Sequence, residues 1–341
     1  MKRLTGVCLA GLIASGAGLA AGTDPPSLPG VRGDYLGQRP PGAEPRLFAP
    51  GIVSTGLYDR DIALTPDGRE MLFSVGGPGY AWMTILFTRR LSDGSWTRPV
   101  AAPFTAQLPA TDIEPFVAPD GQRLYFVSDR PRDAARGATA DHDIWFVERE
   151  PAGWGEPRNL GAPVNSPDEE YFPSLTRDGT LYFTRERRGE GTGSIYRSRR
   201  TDGRYAEPEK LPAAVNGGSA RFNAFVAPDE SYLILSIVGR PDAIGRSDYY
   251  VCFRGSDDSW SEPLNLGERI NVPRGEGYAP FVSPDGKYFF FMSRRRGALE
   301  AMKGRRLEPP DIARLGAEPE NGNTDTYWVD ASFIEAMRPK R

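Results

Sequence analysis

Apolar runs recur along this chain in one arrangement, each directly after a short turn that contains Pro, Asp and Gly. The segment APDGQRLYFVSDR, residues 118–130, is an example, because the turn at Pro119 leads into the apolar stretch Leu124 to Val127. Proline sets φ for the second position of a turn, and glycine adopts the left-handed conformation that closes a short hairpin. The pattern therefore predicts two strands joined by a tight turn.

This hairpin unit occurs five times. The turns begin at Pro66, Pro119, Arg177, Pro228 and Pro284, which gives spacings of 53, 58, 51 and 56 residues. Such spacing is too irregular for a solenoid and is typical of propeller blades with variable loops. In the fourth copy Glu230 stands where glycine is expected, at a cost of roughly 1 kcal/mol if its backbone is left-handed.

Two further patterns complete each blade. Alternating segments that predict a third strand begin near Ile85, Asp143, Ser194, Asp248 and Asp325. In four copies a polar turn then leads into a fourth strand containing Trp96, Trp154, Tyr205 or Trp260. The fifth copy lacks this strand, but residues 43–50 (AEPRLFAP) stand alone ahead of the first copy.

Pairing residues 43–50 with the strand at 326–330 would complete the last blade and remove exposed sheet edges. The sequence thus predicts an all-β fold: a five-bladed β-propeller of four-stranded antiparallel blades, closed by an N-terminal strand that joins the last blade. We expect residues 43–331 to form the propeller, after a Pro- and Gly-rich segment at 23–42 and before a tail at 332–341.

PDG followed by an apolar strand and then a segment such as DIWFVER, from Asp143, resembles the WD40-like propeller repeat usually called PD40, which is found in TolB-like proteins. The resemblance covers roughly residues 43–331. It implies a propeller and an envelope-associated binding role, although one fold hosts many activities. It also implies an additional α/β domain and six blades for TolB itself, features not predicted for this chain.

The N-terminus combines a basic start, an apolar run and a small-residue exit. We interpret residues 1–22 as a secretory signal peptide, too short and glycine-rich for a stable membrane span. The protein is therefore expected in the periplasm or outside the cell. Removing Lys2 and Arg3 changes the formal charge from −3 to −5, which argues against a nucleic-acid partner.

Few residues suit catalysis. With a single histidine, His142, a Ser-His-Asp triad or a histidine-rich zinc site is hard to build, and its loop context favours a solvated residue. Cys252, in an alternating strand, is expected to be a small buried side chain. No cofactor is expected to be required, and the only metal suggested is Ca²⁺, held by carboxylates.

Carboxylates cluster at fixed positions of the repeat. Seven and five residues before each turn, the first three blades place Asp59, Asp61, Asp112, Glu114 and Glu170. These positions begin the innermost strand, on the face that also carries the long loops at 131–142 and 295–324. Equal offsets on adjacent strands predict one acidic cluster, with separations of about 5 to 10 Å, the range in which carboxylate pairs hydrolyse glycosides.

The candidate ligand- or metal-binding residues are Asp59, Asp61, Asp112, Glu114, Glu169, Glu170, Tyr171, Arg221, Asn223, Glu276 and Tyr278. Two functions remain open, with no catalytic residue assigned. One is a noncatalytic module that binds a cell-envelope protein or glycan, and the other is a glycoside hydrolase that uses inner-strand carboxylates. A third interpretation of the acids is structural, because Asp or Glu before a strand can accept hydrogen bonds from loop amides.

Overall fold

A computed structural model of the chain describes residues 24–132 and 141–340. They form five antiparallel blades in chain order; blades one to four each have three long strands and a short outer strand, and blade five has two long strands between two short ones. The five-bladed propeller predicted from the repeats is therefore confirmed. The predicted signal peptide, and residues 133–140 of one predicted loop, lie outside the described residues.

The strands of each blade run from the channel outwards. Blade one contains Tyr58–Leu64, Glu70–Gly76, Met83–Arg89 and Val100–Ala101. Blade two contains Asp112–Val117, Arg123–Ser128, Asp143–Glu150 and Arg158–Asn159, and Gly153–Trp154 pairs with the end of its third strand. Blade three contains Glu169–Leu175, Leu181–Glu186, Ser194–Ser198 and Glu209–Lys210, and Arg200–Thr201 pairs with Arg204–Tyr205 beside it. Blade four contains Ala220–Val226, Tyr232–Val238, Asp248–Phe253 and Leu264–Asn265. Blade five contains Phe281–Val282, Tyr288–Ser293, Asp325–Asp330 and, from the N-terminal side, Arg46–Leu47.

The last blade is closed as the sequence predicts. Leu47 lies opposite Tyr327 in an antiparallel pair. The following residue, Phe48, is fully buried, with its ring 5.0 Å from that of Phe290 and 5.1 Å from that of Trp328. Aromatic packing and strand pairing thus join the two ends of the chain.

The segment ahead of this strand has a structure that composition did not reveal. Ser27–Arg32 pairs with Ser95–Thr97 of blade one, and the Trp96 indole donates a 2.7 Å hydrogen bond to the Gly33 carbonyl. A 3₁₀ turn, Asp34–Gly37, then places the Tyr35 ring 5.5 Å from Trp328 in blade five. The N-terminal segment therefore connects blades one and five.

The PDG turns are held by their aspartates. Asp67 accepts a 2.6 Å hydrogen bond from the Thr65 hydroxyl and a 3.0 Å bond from the Arg69 amide, which satisfies polar groups left by the tight turn. In blade four, Glu230 has φ of 62°, the left-handed conformation expected from its position. Its carboxylate accepts a hydrogen bond from the Tyr182 hydroxyl and pairs with Arg254, contacts that offset the backbone strain.

We call the side with the PDG turns the turn face, and the opposite side the loop face. The loop face carries the connections between blades and those between second and third strands, including the 3₁₀ turn Pro78–Tyr80. Its longest loop, in blade five, contains the helices Gly297–Glu300 and Pro309–Ala317. A third helix, Ser332–Ala336, follows the last strand. In the described part of the chain, no helix has the length and apolar character needed to cross a membrane.

Candidate ligand-binding mouth of the central channel

Each blade has one left-handed residue that is not glycine five positions before its PDG turn, within the inner strand in blades one to four and just ahead of it in blade five. These residues, which we call the bulge row, are Asp61 (φ 55°), Glu114 (57°), Phe172 (50°), Asn223 (53°) and Ala279 (55°). Strand register shifts at this position in blades one to four. Such a bulge changes the direction of a side chain, at a backbone cost of about 1 kcal/mol or more per residue.

Polar members of the bulge row meet on the axis of the ring. Arg60, the neighbour of Asp61, donates 2.7 Å hydrogen bonds to Asp61 and to Glu114 of blade two. The Asn223 amide of blade four donates to the same Glu114 oxygen at 3.2 Å, and the Phe172 N–H donates to the other oxygen at 2.7 Å. We call Arg60, Asp61, Glu114 and Asn223 the channel plug. Blades two and four are not neighbours, so the contact between Glu114 and Asn223 lies across the channel.

The plug is nearly closed to solvent. The side chains of Asp61, Glu114 and Arg60 are 1%, 3% and 12% exposed. Burial raises the pKa of Glu114 to about 7, against the opposing effect of Arg60 and with a further increase from the Asp61 charge. The pKa of Arg60 is raised, because its two carboxylate partners outweigh the effect of burial.

Acids seven positions before the turns form a separate group, the capping row: Asp59, Asp112 and Glu170. Each is almost fully buried and accepts a hydrogen bond from an amide of the loop ahead of it: Thr55 at 2.5 Å, Ala106 at 2.6 Å and Ser166 at 3.0 Å. The five acids expected to form one cluster thus have two sets of partners: the capping acids bind loop amides, whereas Asp61 and Glu114 share Arg60.

Two of the capping acids also bind an arginine of their own blade. Arg130 donates to Asp112 at 2.5 Å, and Arg185 donates to Glu170 at 2.8 Å. Burial raises the pKa of Glu170 to about 7, although its hydrogen bonds and Arg185 act in the opposite direction. These contacts explain the residues as supports for the loops, consistent with the structural interpretation considered from the sequence.

The positions between these two rows form what we call the mouth ring: Arg60, Ile113, Tyr171, Phe222 and Tyr278. All five are partly exposed. The Phe222 and Tyr278 rings lie 5.1 Å apart, and the Arg60 guanidinium lies 5.9 Å from the Tyr278 ring. Beside them, the Tyr58 and Tyr80 rings are 5.0 Å apart. The channel opens onto an aromatic rim above a buried ionic plug.

Glu169 links the rim to the only histidine in the sequence. Its carboxylate accepts a 2.9 Å hydrogen bond from the His142 N–H and lies 2.9 Å from the imidazole Nδ1. The Tyr171 hydroxyl donates to it at 3.1 Å. Burial opposes the charged imidazole, but the Glu169 interaction dominates and raises the pKa of His142. Sequence reasoning expected a solvated histidine and missed this contact.

Glu276 and Arg221 lie on the same face in different surroundings. Glu276 is paired with Arg294 at 3.2 Å and Arg246 at 3.3 Å. Arg221 instead donates to loop carbonyls, with Nε 2.8 Å from the Gly193 oxygen. Eight of the candidate residues thus belong to the capping row, the plug or the mouth ring, and the other three, Glu169, Arg221 and Glu276, bind loop groups or arginines on the same face.

In the described part of the chain, the large hydrophobic side chains that are exposed lie on the loop face. The large hydrophobic residues that are exposed there are Leu57 (38%), Leu108 (72%), Leu307 (45%) and Ile312 (59%). Each lies in a connection between blades or in the long loop of blade five.

The turn face carries a cavity of about 880 Å³ between blades one and two. Three arginines in its lining are paired, Arg89 with Asp24, Arg90 with Asp34 and Arg149 with Glu70, so it offers little uncompensated charge. Across residues 24–132 and 141–340, the structure contains no group of three or more His, Cys, Asp or Glu side chains suited to a metal ion.

No protein-family model matches this sequence, and a search of curated proteins gives no match. Solved structures with a similar fold include TolB from Acinetobacter baumannii, with 14% identity and a TM-score of 0.43 over 81% of this chain. A TolB from Agrobacterium tumefaciens has 15% identity and a TM-score of 0.46, over 80% of this chain and 90% of that one. The periplasmic gluconolactonase PpgL from Pseudomonas aeruginosa has 13% identity and a TM-score of 0.39, over 69% of this chain and 65% of that one.

The match to Acinetobacter baumannii TolB covers 57% of that protein, so this chain spans little more than half of it. At these identities the likeness describes the propeller fold alone.

Proposed function

We propose that this protein is a noncatalytic binding module that recognises an extended segment of another protein through its loop face. The observation that carries the proposal is the partly exposed mouth ring above a closed plug, on the face that holds Leu57, Leu108, Leu307 and Ile312. Aromatic and aliphatic groups that become buried on binding supply much of the free energy at protein interfaces. A partner in the cell envelope fits the export signal predicted at residues 1–22.

The alternative of glycoside hydrolysis is disfavoured by the state of the acids. Catalytic carboxylates must contact the glycosidic bond, with space for sugar and water between them. Asp61 and Glu114 are 1% and 3% exposed and share one guanidinium, and Asp112 is bound to Arg130. The raised pKa of Glu114 would suit a general acid, but its burial argues against contact with a sugar.

A protein ligand is favoured over a glycan by the kind of groups exposed. Either ligand could pack against the Phe222 and Tyr278 rings. Exposed leucine and isoleucine side chains, however, bury little apolar area against a hydroxyl-rich sugar. The same leucine and isoleucine side chains bury more apolar area against the apolar side chains of a peptide. The rim is therefore suited to alternating apolar and polar residues of an extended segment.

Binding can be tested with the mature chain from residue 23, probed with an array of N-acetylated, C-amidated nonapeptides and with an array of glycans. Affinities of the best probes are then measured by fluorescence polarisation. We expect peptides to bind, and the double variant Phe222→Ala, Tyr278→Ala to weaken them about tenfold or more while retaining the wild-type melting temperature.

The matched control is Gln122→Ala on the turn face, which should bind peptides as the wild type does. Binding of glycans alone, or peptide binding that is unchanged in the mouth-ring variant, would contradict the proposal.

A further inference from the structure

Arg221 reverses the charge of the capping row. It occupies in blade four the position that Asp59, Asp112 and Glu170 hold in blades one to three. The acids accept hydrogen bonds from loop amides, whereas Arg221 donates to loop carbonyls. Its Nε lies 2.8 Å from the Gly193 oxygen, and its Nη1 lies 3.2 Å from the Gly218 oxygen.

Arg221 has no carboxylate partner among the described residues. In blade three, Glu170 lies opposite Arg185 on the second strand, and the two form an ion pair. In blade four the residue opposite Arg221 is Ile237, which cannot neutralise it. Burial lowers the pKa of Arg221, and no neighbouring acid opposes that effect.

One nitrogen of the guanidinium remains available. Nε and Nη1 are held by carbonyl oxygens from two loops, whereas Nη2 donates to no described residue. The carbonyls fix the orientation of the planar group without supplying a full negative charge. Such a guanidinium is preorganised to bind an anionic oxygen, because its side chain loses little further conformational entropy on binding.

We propose that Arg221 binds a carboxylate of the protein segment that docks on the mouth ring. The next residue, Phe222, belongs to that ring and packs against Tyr278. The carbonyls that hold Arg221, those of Gly193 and Gly218, lie in loops of the same face. The proposal rests on the proposed function and names its partner more closely, as a segment with an acidic residue or a chain terminus beside apolar residues. Both sources present the same planar carboxylate.

The test uses the nonapeptides that bind best, each prepared with Glu or Gln at every acidic position and with either an acid or an amide C-terminus. We expect one carboxylate to strengthen binding to the wild type about tenfold, the size typical of a charge-assisted hydrogen bond. Rising salt concentration should reduce this preference. The position at which it occurs distinguishes a side chain from a chain terminus.

In Arg221→Gln the preference for the carboxylate should disappear, while the uncharged peptide binds as it does to the wild type. Arg221→Lys should retain part of the preference. Arg246→Gln is the matched control, because Arg246 lies on the same face but is already paired with Glu276. If Arg221→Gln does not fold, the wild-type and Arg221→Lys preferences decide the question.

Equal affinity of the wild type for both members of every pair, or a preference that survives in Arg221→Gln, would overturn the role of Arg221 and leave docking at the mouth intact. If peptides bind the double variant Phe222→Ala, Tyr278→Ala with unchanged affinity, the proposed function is contradicted, and this inference with it.

Discussion

Glu114→Gln tests the electrostatics of the channel plug directly. The substitution keeps the size of the side chain and an oxygen for the Phe172 N–H, but removes the charge that burial disfavours. In the folded protein burial raises the pKa of Glu114 from 4.5 to about 7. Between these two pH values the unfolded chain has released this proton and the folded chain retains it, so the unfolding free energy falls as pH rises.

The expected size follows from that interval. Each pH unit corresponds to about 1.4 kcal/mol, so ionisation of Glu114 lowers the wild-type unfolding free energy by at most about 3 kcal/mol across the interval. In Glu114→Gln this contribution is absent. The stability of the variant relative to the wild type should therefore improve as the pH is raised from below 4.5 to above 7.

Urea unfolding followed by tryptophan fluorescence across this pH range measures the difference. The control is Glu156→Gln, at an exposed glutamate, which should follow the wild type. Parallel curves for wild type and Glu114→Gln would refute the reasoning. If the unfolding free energy of the wild type instead increases relative to that of the variant as pH rises, the effect of Arg60 on the pKa of Glu114 is larger than that of burial.

Three further predictions concern closure, loop support and export. Phe48→Ala should lower the unfolding free energy by about 3–5 kcal/mol, because this fully buried ring joins the chain ends, and an unchanged urea midpoint would contradict that role. Asp112→Asn should cost on the order of 3–5 kcal/mol by removing the charge of the buried Asp112–Arg130 ion pair, and a loss no larger than that of Glu156→Gln would argue against it. Protein recovered from the cell envelope should lack residues 1–22 by mass spectrometry, and an intact N-terminus would reject export by cleavage.

The fold was predictable because its signals are local and repeated. PDG turns and alternating strands recur five times, and the unpaired segment at 43–50 could be assigned to the last blade by counting strands. The pairing of Leu47 with Tyr327 needed no knowledge of side-chain packing. Ser27–Arg32 was missed, because a short Pro- and Gly-rich stretch shows no strand period.

The candidate site was only partly predictable, and the reason is one backbone conformation. In a regular strand, residues two apart share a face, so Asp59 and Asp61 were expected to lie together. The left-handed φ of Asp61 and its equivalents breaks that rule. Glu114, Phe172 and Ala279 are poor sequence signals for such a conformation, since glycine or asparagine would normally mark it. Contacts between neighbouring blades, such as that between His142 and Glu169, depend on loops whose paths the repeat does not specify.

Closure of the last blade brings together two parts of the chain that are far apart in sequence. The Ser54 hydroxyl bonds to the Thr326 carbonyl across 272 positions of sequence, so the ring can be completed only when nearly the whole chain is present. The Arg60 contact with Tyr278 in the mouth ring also joins blades one and five. A ligand that contacts both residues would connect blades one and five, so its binding would stabilise the closed ring. A ring that is not closed would lack the complete binding site at the mouth.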